Sequence, residues 1–150
     1  MKIATKTRYA MRVMIDLAAR VDEGCVPLKD VADRQGISKK YLEQVVSPLV
    51  SSGLLNVMRG HRGGYKLTRT PSEITCADIV SATENGLELL DCLSGDITCE
   101  RESFCISQDI WGGLERAMTD YLKSITLQDI LDREEEDGLK LQRRMLGEEA

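Results

Sequence analysis

The sequence predicts a mainly α-helical fold with one small β-hairpin, and three observations support that prediction. Apolar residues recur at helical spacing in several segments, a Gly-containing turn separates two such segments early in the chain, and a cationic Gly-rich stretch separates two short apolar runs. A chain of 150 residues can also bury a core without disulfides or metals. It lacks both an apolar run of the ~20 residues that span a bilayer and the apolar segment of a secretory signal. We therefore expect a cytoplasmic protein with no membrane partner.

Charge is divided unevenly between the two halves of the chain. Residues 1–70 hold thirteen Lys and Arg against six Asp and Glu, whereas residues 71–150 hold seven against nineteen, which together give the net charge of -5. A basic segment attracts polyanions, and an acidic segment repels them. The asymmetry favours a nucleic acid as the partner of the first half, although charged faces that are merely solvated show the same pattern.

The first three helices are predicted from periodicity and from residues that start or end helices. Residues 7–21 place apolar groups on one helix face. A second helix over residues 28–35 begins after Pro27 and ends at Gly36, which adopts the left-handed conformation without steric cost. Ser38 then offers an N-cap for a third helix.

Helices two and three carry the spacing of a helix-turn-helix motif. Small Ala32 lets the two helices approach, and Leu42 packs the third helix onto the second. An ordinary helical hairpin shows the same pattern, so this motif alone does not establish DNA binding. Pro48 should kink the third helix or end it near Ser47, because proline lacks the amide hydrogen that helical bonding requires.

A β-hairpin is predicted directly after these helices. Apolar runs at 54–58 and 65–67 flank the stretch RGHRGG, which supplies a positively charged tip. Arg59 and Arg62 in that tip suit DNA phosphates or a narrow minor groove. A hairpin in this position is the wing of a winged helix, so we expect a winged helix-turn-helix DNA-binding domain over residues 1–72.

The second half is predicted to hold a short helix, a cysteine loop and a long helix. Thr75 and Asp78 form a capping box for the short helix. The long helix, ISQDIWGGLERAMTDYLKSI, has a continuous apolar face, which predicts a homodimer; packing on its own domain is the alternative. We assign the loop and this C-terminal dimerisation helix to residues 73–132 and a charged, disordered tail to residues 133–150.

The N-terminal end of the third helix is expected to reach DNA bases. Gln44 can pair with adenine through two hydrogen bonds, and Glu43 can accept a hydrogen bond from cytosine N4. The other expected DNA contacts are Ser38, Lys39, Lys40, Tyr41, Arg59 and Arg62. The expected partner is a double-stranded DNA operator. No small-molecule substrate or enzyme activity is expected, because the sequence has no Gly-rich phosphate loop and no paired catalytic carboxylates.

Three of the five cysteines lie in one polar stretch, DCLSGDITCERESFC, at Cys92, Cys99 and Cys105. Cytoplasmic thiols stay reduced, so clustered cysteines indicate metal or redox chemistry more often than disulfides. An iron–sulfur cluster, a zinc site and a direct thiol switch all fit this pattern. Cys76 is expected to be a small core residue, whereas Cys25 lies in an exposed turn and is a candidate redox thiol.

Several of these stretches resemble one family when they are taken in order. The bacterial winged-helix regulators that include IscR, NsrR and CymR have counterparts of MKIATKTRYAMRVMIDLA, ISKKYLEQVVSPL, GLLNVMRGHRGGYKL, the C-x6-C-x5-C loop and SITLQDIL. The resemblance covers about residues 1–132. It implies a homodimeric transcriptional regulator, in most cases a repressor, and it is greatest to the IscR-like iron–sulfur regulators.

The resemblance also implies a cofactor. In cluster-binding members of the family, three loop cysteines hold an iron–sulfur cluster, and Cys92, Cys99 and Cys105 match them. A [2Fe–2S] cluster is favoured over [4Fe–4S]. This chain departs from the pattern, because Gln108 replaces the histidine of IscR-like proteins and Arg8 lies near the aspartate of NsrR-like proteins. The candidates for the fourth ligand are Gln108, Ser107, Glu100, Glu102 and a small exogenous donor.

The function expected from the sequence is a DNA-binding regulator that senses iron–sulfur, redox or nitric oxide status through its three-cysteine loop. The alternative is a DNA-binding regulator whose cysteines form a zinc site or act as a direct thiol switch.

Overall fold

The computed structural model describes residues 2–84, 86–94, 99–100 and 104–146, and these residues confirm a mainly helical fold with one β-hairpin. The described elements are α1 Thr5–Ala18, α2 Leu28–Gln35, α3 Lys39–Ser51, β1 Leu55–Met58, β2 Gly64–Leu67, α4 Cys76–Glu84, α5 Asp91–Ser94, α6 Gln108–Lys123 and α7 Leu127–Leu146. No helix among the described residues is both long enough and apolar enough to span a membrane.

Helices α2 and α3 form the expected helix-turn-helix. Gly36 closes α2 with a φ of 65°, the left-handed conformation that glycine adopts without strain, and its amide donates to the carbonyl of Ala32. The hydroxyl of Ser38 accepts a hydrogen bond from the amide of Tyr41 at 3.2 Å, as expected of an N-cap. Leu42 is fully buried and holds α3 against the core. The turn chemistry read from the sequence is therefore confirmed.

Pro48 does not end α3 near Ser47, so this one of its two expected effects is wrong, while a kink stays a prediction. The helix continues to Ser51. Val46 before the proline and Leu49 after it are both buried, so tertiary packing holds the helix on each side of the missing amide. The burial of these side chains outweighs the local cost of proline in a helix.

The wing is a two-stranded antiparallel hairpin, with Leu55 opposite Leu67 and Met58 opposite Gly64. Val26, between α1 and α2, pairs with Tyr65 of β2 through two backbone hydrogen bonds of 2.9 and 2.8 Å. A Cβ atom at Gly64 would lie 2.4 Å from the carbonyl oxygen of Val26, so this close approach requires glycine. The wing is thereby fixed to the helical part of the domain.

Helices α4 and α7 begin side by side on the core. Thr75 and Thr126 form an isolated antiparallel bridge, and each precedes a capping box, closed by Asp78 and Asp129 respectively. Leu127, in the first turn of α7, is fully buried in the same core cluster as residues of α1, α2 and α3. Parts of the second half therefore share the core of the first, and the division of the chain at residues 72 and 132 stays a prediction.

Helix α7 continues to Leu146, whereas the sequence analysis expected a disordered tail from residue 133. Most residues in this stretch are good helix formers, such as Glu, Leu, Lys, Gln and Arg. Asp129 lies in the first turn of α7, where a negative charge complements the helix dipole. Residues 147–150 lie outside the described residues.

Asp16 is the charged residue buried most deeply at the junction of α1 and α2, with its side chain 2% exposed. Its carboxylate accepts hydrogen bonds from Arg34 at 2.7 Å, from Arg20 at 2.9 Å and from Gln35 at 2.9 Å. Burial raises the pKa of Asp16, but the hydrogen bonds from Arg34 and Gln35 and the charges of Arg34 and Arg20 outweigh that effect. The net pKa therefore lies below the ordinary value, and Asp16 stays ionised.

We expect Asp16→Asn to lower the free energy of unfolding by about 3 kcal/mol at neutral pH, because it leaves two arginines without their buried counter-charge. Because the folded-state pKa of Asp16 is depressed, its contribution is present above its ordinary pKa of 3.8 and is lost as pH falls through the lower folded-state value. Urea unfolding between neutral and acid pH measures both effects.

The matched control is Asp33→Asn, since Asp33 is an exposed aspartate of the same helix pair. If Asp16→Asn and Asp33→Asn cost the same at neutral pH, Asp16 does not stabilise the junction.

Candidate nucleic-acid interface and cysteine site

The first turns of α3 present polar side chains on one face. Lys39, Lys40, Glu43 and Gln44 are exposed, whereas the opposite face of the helix is buried. Lys39 and Glu43 form an ion pair at 3.8 Å with both side chains more than half exposed. Such a pair contributes little to stability, so both side chains can turn to a bound duplex.

Tyr41 is held in place by aromatic contacts rather than left free in solvent. Its ring meets the ring of Tyr9 edge to face, with centroids 5.6 Å apart. The guanidinium of Arg12 lies 5.4 Å from the centroid of Tyr9 and also donates to the carbonyl of Gln35 at 2.6 Å. Arg12 therefore connects α1 to the end of α2, while Tyr9 connects α1 to Tyr41 of α3. Sequence reasoning missed both contacts because each pair of partners is distant in sequence.

The wing tip carries the two predicted arginines. Arg59 and Arg62 are both exposed, and His61 lies between them. Gly63 ends the tip. Only glycine fits there, because a Cβ atom would lie 2.4 Å from the carbonyl oxygen of Met58. The charged tip is thus a tight turn on a fixed hairpin.

A groove runs between α3 and the wing. Lys29, Lys39 and Glu43 line its helical side, and Met58 and Tyr65 line its wing side. Lys29 was missed in the sequence analysis, although its place in the first turn of α2, beside a helix N-terminus, is a position where phosphates bind. The described residues of α3, the wing tip and this groove form one surface, the candidate for the DNA contact, which we call the DNA face.

The three loop cysteines converge on one small cavity. Cys92, Cys99, Cys105 and Gln108 line it together, although the residues 95–98 and 101–103 between them lie outside the described residues. All five cysteines of the chain are among the described residues, and none forms a disulfide. The structure therefore brings together the three predicted thiols and one of the candidate fourth ligands.

The N-terminal end of α6 forms one side of this cavity. Cys105 and Gln108 come from its N-terminal side, where the amide of Gln108 donates to the carbonyl of Cys105 at 3.2 Å. Cys92 is in α5, and the neighbouring Leu93 lies over Gly112 of α6, with its Cδ2 atom 3.9 Å from where a Cβ would be. Helix α5 therefore lies beside α6 at this position.

Other candidate ligands are placed less favourably. The hydroxyl of Ser107 lies 3.4 Å from the sulfur of Cys105, and Glu100 is exposed next to Cys99. Glu102 lies outside the described residues. Within the described part of the chain, no three His, Cys, Asp or Glu side chains are arranged to hold a single metal ion. The ligands of an iron–sulfur cluster are divided among two or four irons, so three of them need not meet at a single ion.

The two remaining cysteines differ in their surroundings. Cys76 is buried, as expected of a core residue, and burial raises the pKa of its thiol. Cys25 is half-buried and borders a groove with His61 and Arg62 of the wing. Cys25 is therefore next to the DNA face, whereas Cys76 is not accessible.

Helix α6 has an apolar face that the described residues do not cover. None of its residues is buried, and Ile110 and Tyr121 are each more than 60% exposed. The other large apolar side chains exposed in and beside α6 are Phe104, Ile106, Trp111 and Leu114. An exposed apolar surface of this kind is typical of a protein interface.

Comparisons with known proteins point to one family. A family model described as Rrf2, an iron-dependent transcriptional regulator, matches residues 3–133. The transcriptional regulator IscR of Pectobacterium atrosepticum is 37% identical over 135 residues, which are 90% of this chain and 82% of that protein. Among solved structures, T. potens IscR has a TM-score of 0.73 and 36% identity, with 91% of this chain and 90% of that chain covered. CymR, the global cysteine regulator of B. subtilis, has a TM-score of 0.72 and 36% identity, covering 89% of this chain and 98% of that chain.

We expect Arg62→Ala to weaken binding to any duplex and to make the slope of log affinity against log salt less negative. If each subunit of a dimer neutralises about four phosphates, the wild-type slope is about -7, and loss of one phosphate contact per subunit changes it by about 2. Fluorescence anisotropy with a labelled duplex at several salt concentrations measures the slope.

Lys123→Ala is the matched control, because it removes an exposed positive charge from the end of α6, away from the DNA face. Equal slopes for the wild type and Arg62→Ala would remove the wing tip from the DNA contact.

Proposed function

This chain belongs to the Rrf2 family of transcriptional regulators. We propose that it is a repressor whose affinity for operator DNA depends on an iron–sulfur cluster bound by its cysteine loop. DNA-binding regulation, rather than catalysis, is what its IscR and CymR relatives perform. The observation that carries the proposal is the convergence of Cys92, Cys99 and Cys105 on one cavity.

The donor set of that cavity fits an iron–sulfur cluster. Thiolates are the ligands that iron in such clusters takes most often, and the three thiols are partly accessible, so a cluster can assemble and be lost. Gln108 is the candidate for the fourth position, and its neutral amide is a weaker donor than a thiolate or an imidazole. We favour [2Fe–2S] over [4Fe–4S]. When bound, the cluster supplies one-electron redox chemistry and sensitivity to oxidants.

Coupling between the cavity and DNA is proposed to pass through α6. Leu93, the residue after Cys92, lies near Gly112 of α6, and Gln108 is the first residue of α6. We propose that the exposed apolar face of α6 packs against a second copy of the chain, with Ile110 and Leu114 at its centre. A homodimer built on α6 presents two DNA faces to a two-fold operator.

The sensing step needs only a modest energetic difference. A tenfold change in operator affinity corresponds to about 1.4 kcal/mol of coupling between the two sites. The signal is the iron–sulfur, redox or nitric oxide status of the cell. A zinc site at the same thiols is the alternative, and it requires the thiolates to converge on a single ion.

We expect Cys92→Ser to prevent cluster assembly and to remove the response of DNA binding to iron and sulfide, because it deletes one of three thiolate ligands. The measurement is anaerobic reconstitution followed by visible absorption, iron and sulfide counting, and binding to an operator selected from random-sequence duplexes. Gln108→Ala is the companion variant, and its cluster should form but be lost faster, because only the weakest donor is gone.

Two results would contradict this proposal. Zinc without acid-labile sulfide in air-free protein would establish the zinc alternative. A Cys92→Ser protein with unchanged colour and unchanged operator affinity would remove the loop from sensing.

A thiol switch at Cys25 is a second candidate function, favoured by the groove that this thiol shares with His61 and Arg62 of the wing. A peroxide can oxidise the accessible thiolate to a sulfenic acid, with water or hydroxide as the leaving product. The sulfenic acid is larger and more polar than the thiol, so in the groove beside the wing it would displace Arg62.

We expect peroxide to lower operator affinity in a variant that keeps Cys25 but carries serine at the three loop positions, and we expect the further change Cys25→Ser to abolish that effect. Mass spectrometry after labelling with a sulfenic-acid probe identifies the oxidised thiol, and buried Cys76 is the internal control that should stay unlabelled. Labelling of Cys76 rather than Cys25 would rule out the switch.

A further inference from the structure

One carboxylate joins the start of the cysteine loop to the first helix of the DNA-binding unit. Glu84 is the last residue of α4, and its Oε1 atom accepts hydrogen bonds from the amide of Ala4 at 2.8 Å and from the hydroxyl of Thr7 at 2.5 Å. Helix α1 has no side-chain cap of its own and no acidic residue in its first turn. Glu84 therefore provides the N-terminal cap and the negative charge that α1 does not provide for itself.

The bond from Thr7 to Glu84 is partly buried, whereas the bond from Ala4 is exposed. Thr7 is 2% exposed and is, with Asp16, one of two buried polar residues in the described part of the chain. The partners are 77 residues apart in sequence. Loss of the carboxylate would leave a buried hydroxyl and a helix N-terminus without acceptors, which is costly in a protein interior.

On one side, Glu84 is coupled through α1 to α3, the helix that is expected to reach DNA bases. Val13 and Met14 of α1 are fully buried in the same core as Val45 of α3, and the ring of Tyr9 contacts the ring of Tyr41. Close-packed cores transmit small displacements, because there is no free volume to absorb them. A displacement of the N-terminus of α1 is therefore expected to displace α3.

On the other side, Glu84 lies eight residues before Cys92 along the chain. The amide of Gly86 donates to the carbonyl of Ser81 at 3.1 Å, which turns the chain sharply as it leaves α4. The amide of Leu89 then donates to the carboxylate of Glu115 on α6 at 3.0 Å, only three residues before Cys92. The loop is thus tied to α6 at one point and to α1 at another.

Glu84 also borders an open groove where three segments meet. The groove is lined by Ile3 near the N-terminus, Val80 of α4 and Leu122 of α6. The polar contact of Glu84 therefore lies at the junction of these segments.

We propose that Glu84 is the positioning residue that carries the state of the cysteine site to the helix-turn-helix, an inference that rests on the proposed cluster-dependent function. Binding at Cys92 restricts the loop that begins after α4, and this restriction sets the position of the Glu84 carboxylate. Because that carboxylate caps α1, the restriction changes how α1 and its partner α3 are held.

The test compares operator affinity of cluster-loaded and cluster-free protein for the wild type, Glu84→Ala, Glu84→Gln and Thr7→Val. We expect the loaded-to-free ratio to fall from about tenfold in the wild type to about twofold in Glu84→Ala and Thr7→Val, with unchanged visible spectra and iron and sulfide counts. The double variant should show no loss beyond that of Glu84→Ala, because the bond that Thr7→Val deletes is one of the two that Glu84→Ala deletes. Glu84→Gln keeps an acceptor oxygen and should keep most of the ratio.

Glu73→Ala is the matched control for an ordinary helix cap. Glu73 makes the same kind of capping bonds as Glu84, but only to Thr70 in its own turn. Its loss should lower stability and leave the ratio unchanged. If Glu84→Ala does not fold, Thr7→Val removes the same contact from the opposite partner and decides the question.

Hydrogen exchange provides a second readout that does not depend on DNA. In the wild type, loading the cluster should slow amide exchange in the first turn of α1, and Thr7→Val should abolish that difference. A merely structural role would speed exchange equally in both forms and keep the difference.

The outcomes separate this inference from the proposed function. A wild-type ratio of one with a fully assembled cluster overturns both. A wild-type ratio that persists in Glu84→Ala or in Thr7→Val overturns the role of Glu84 alone and leaves cluster sensing in place.

Discussion

The buried face of α1 is the constraint on which the rest of the molecule depends. Ala10, Val13 and Met14 are fully inaccessible and lie in one core with residues of α2, α3, α4 and the first turn of α7. Helix α3, which is proposed to read DNA, and α4, which leads into the cysteine loop, are therefore packed against the same element. A protein with separate cores for these two parts would have to couple them through a linker, whereas here they share side-chain contacts.

Local chemistry predicted much of this fold, because the residues concerned act on their immediate neighbours. Gly36 has the conformation that its turn demands, Ser38 caps the next helix, and Thr75 with Asp78 closes a capping box. Pro48 shows the limit of that approach, since its local preference was overridden by burial of the side chains on both sides. Propensity decides where packing is weak and yields where packing is strong.

For the candidate site, the sequence predicted which residues take part better than it predicted the contacts that join distant segments. Cysteine spacing and the charge of the wing are visible in the sequence, and so is the family resemblance, which membership in the Rrf2 family confirms. The contacts of Glu84 with Thr7 and of Val26 with Tyr65 are not visible, because each joins segments that lie far apart along the chain. No periodic pattern or cap motif signals such pairs, so they require coordinates.

The placement of Trp111 has a practical consequence. It is the single tryptophan of the chain, and it lies partly exposed on α6, directly before Gly112, which is near Leu93 of α5. Indole emission depends on the polarity around the ring and is quenched by nearby coloured centres. The protein thus carries a built-in optical reporter between the apolar face proposed as the dimer surface and the cysteine cavity, and its emission can be followed without attaching a dye.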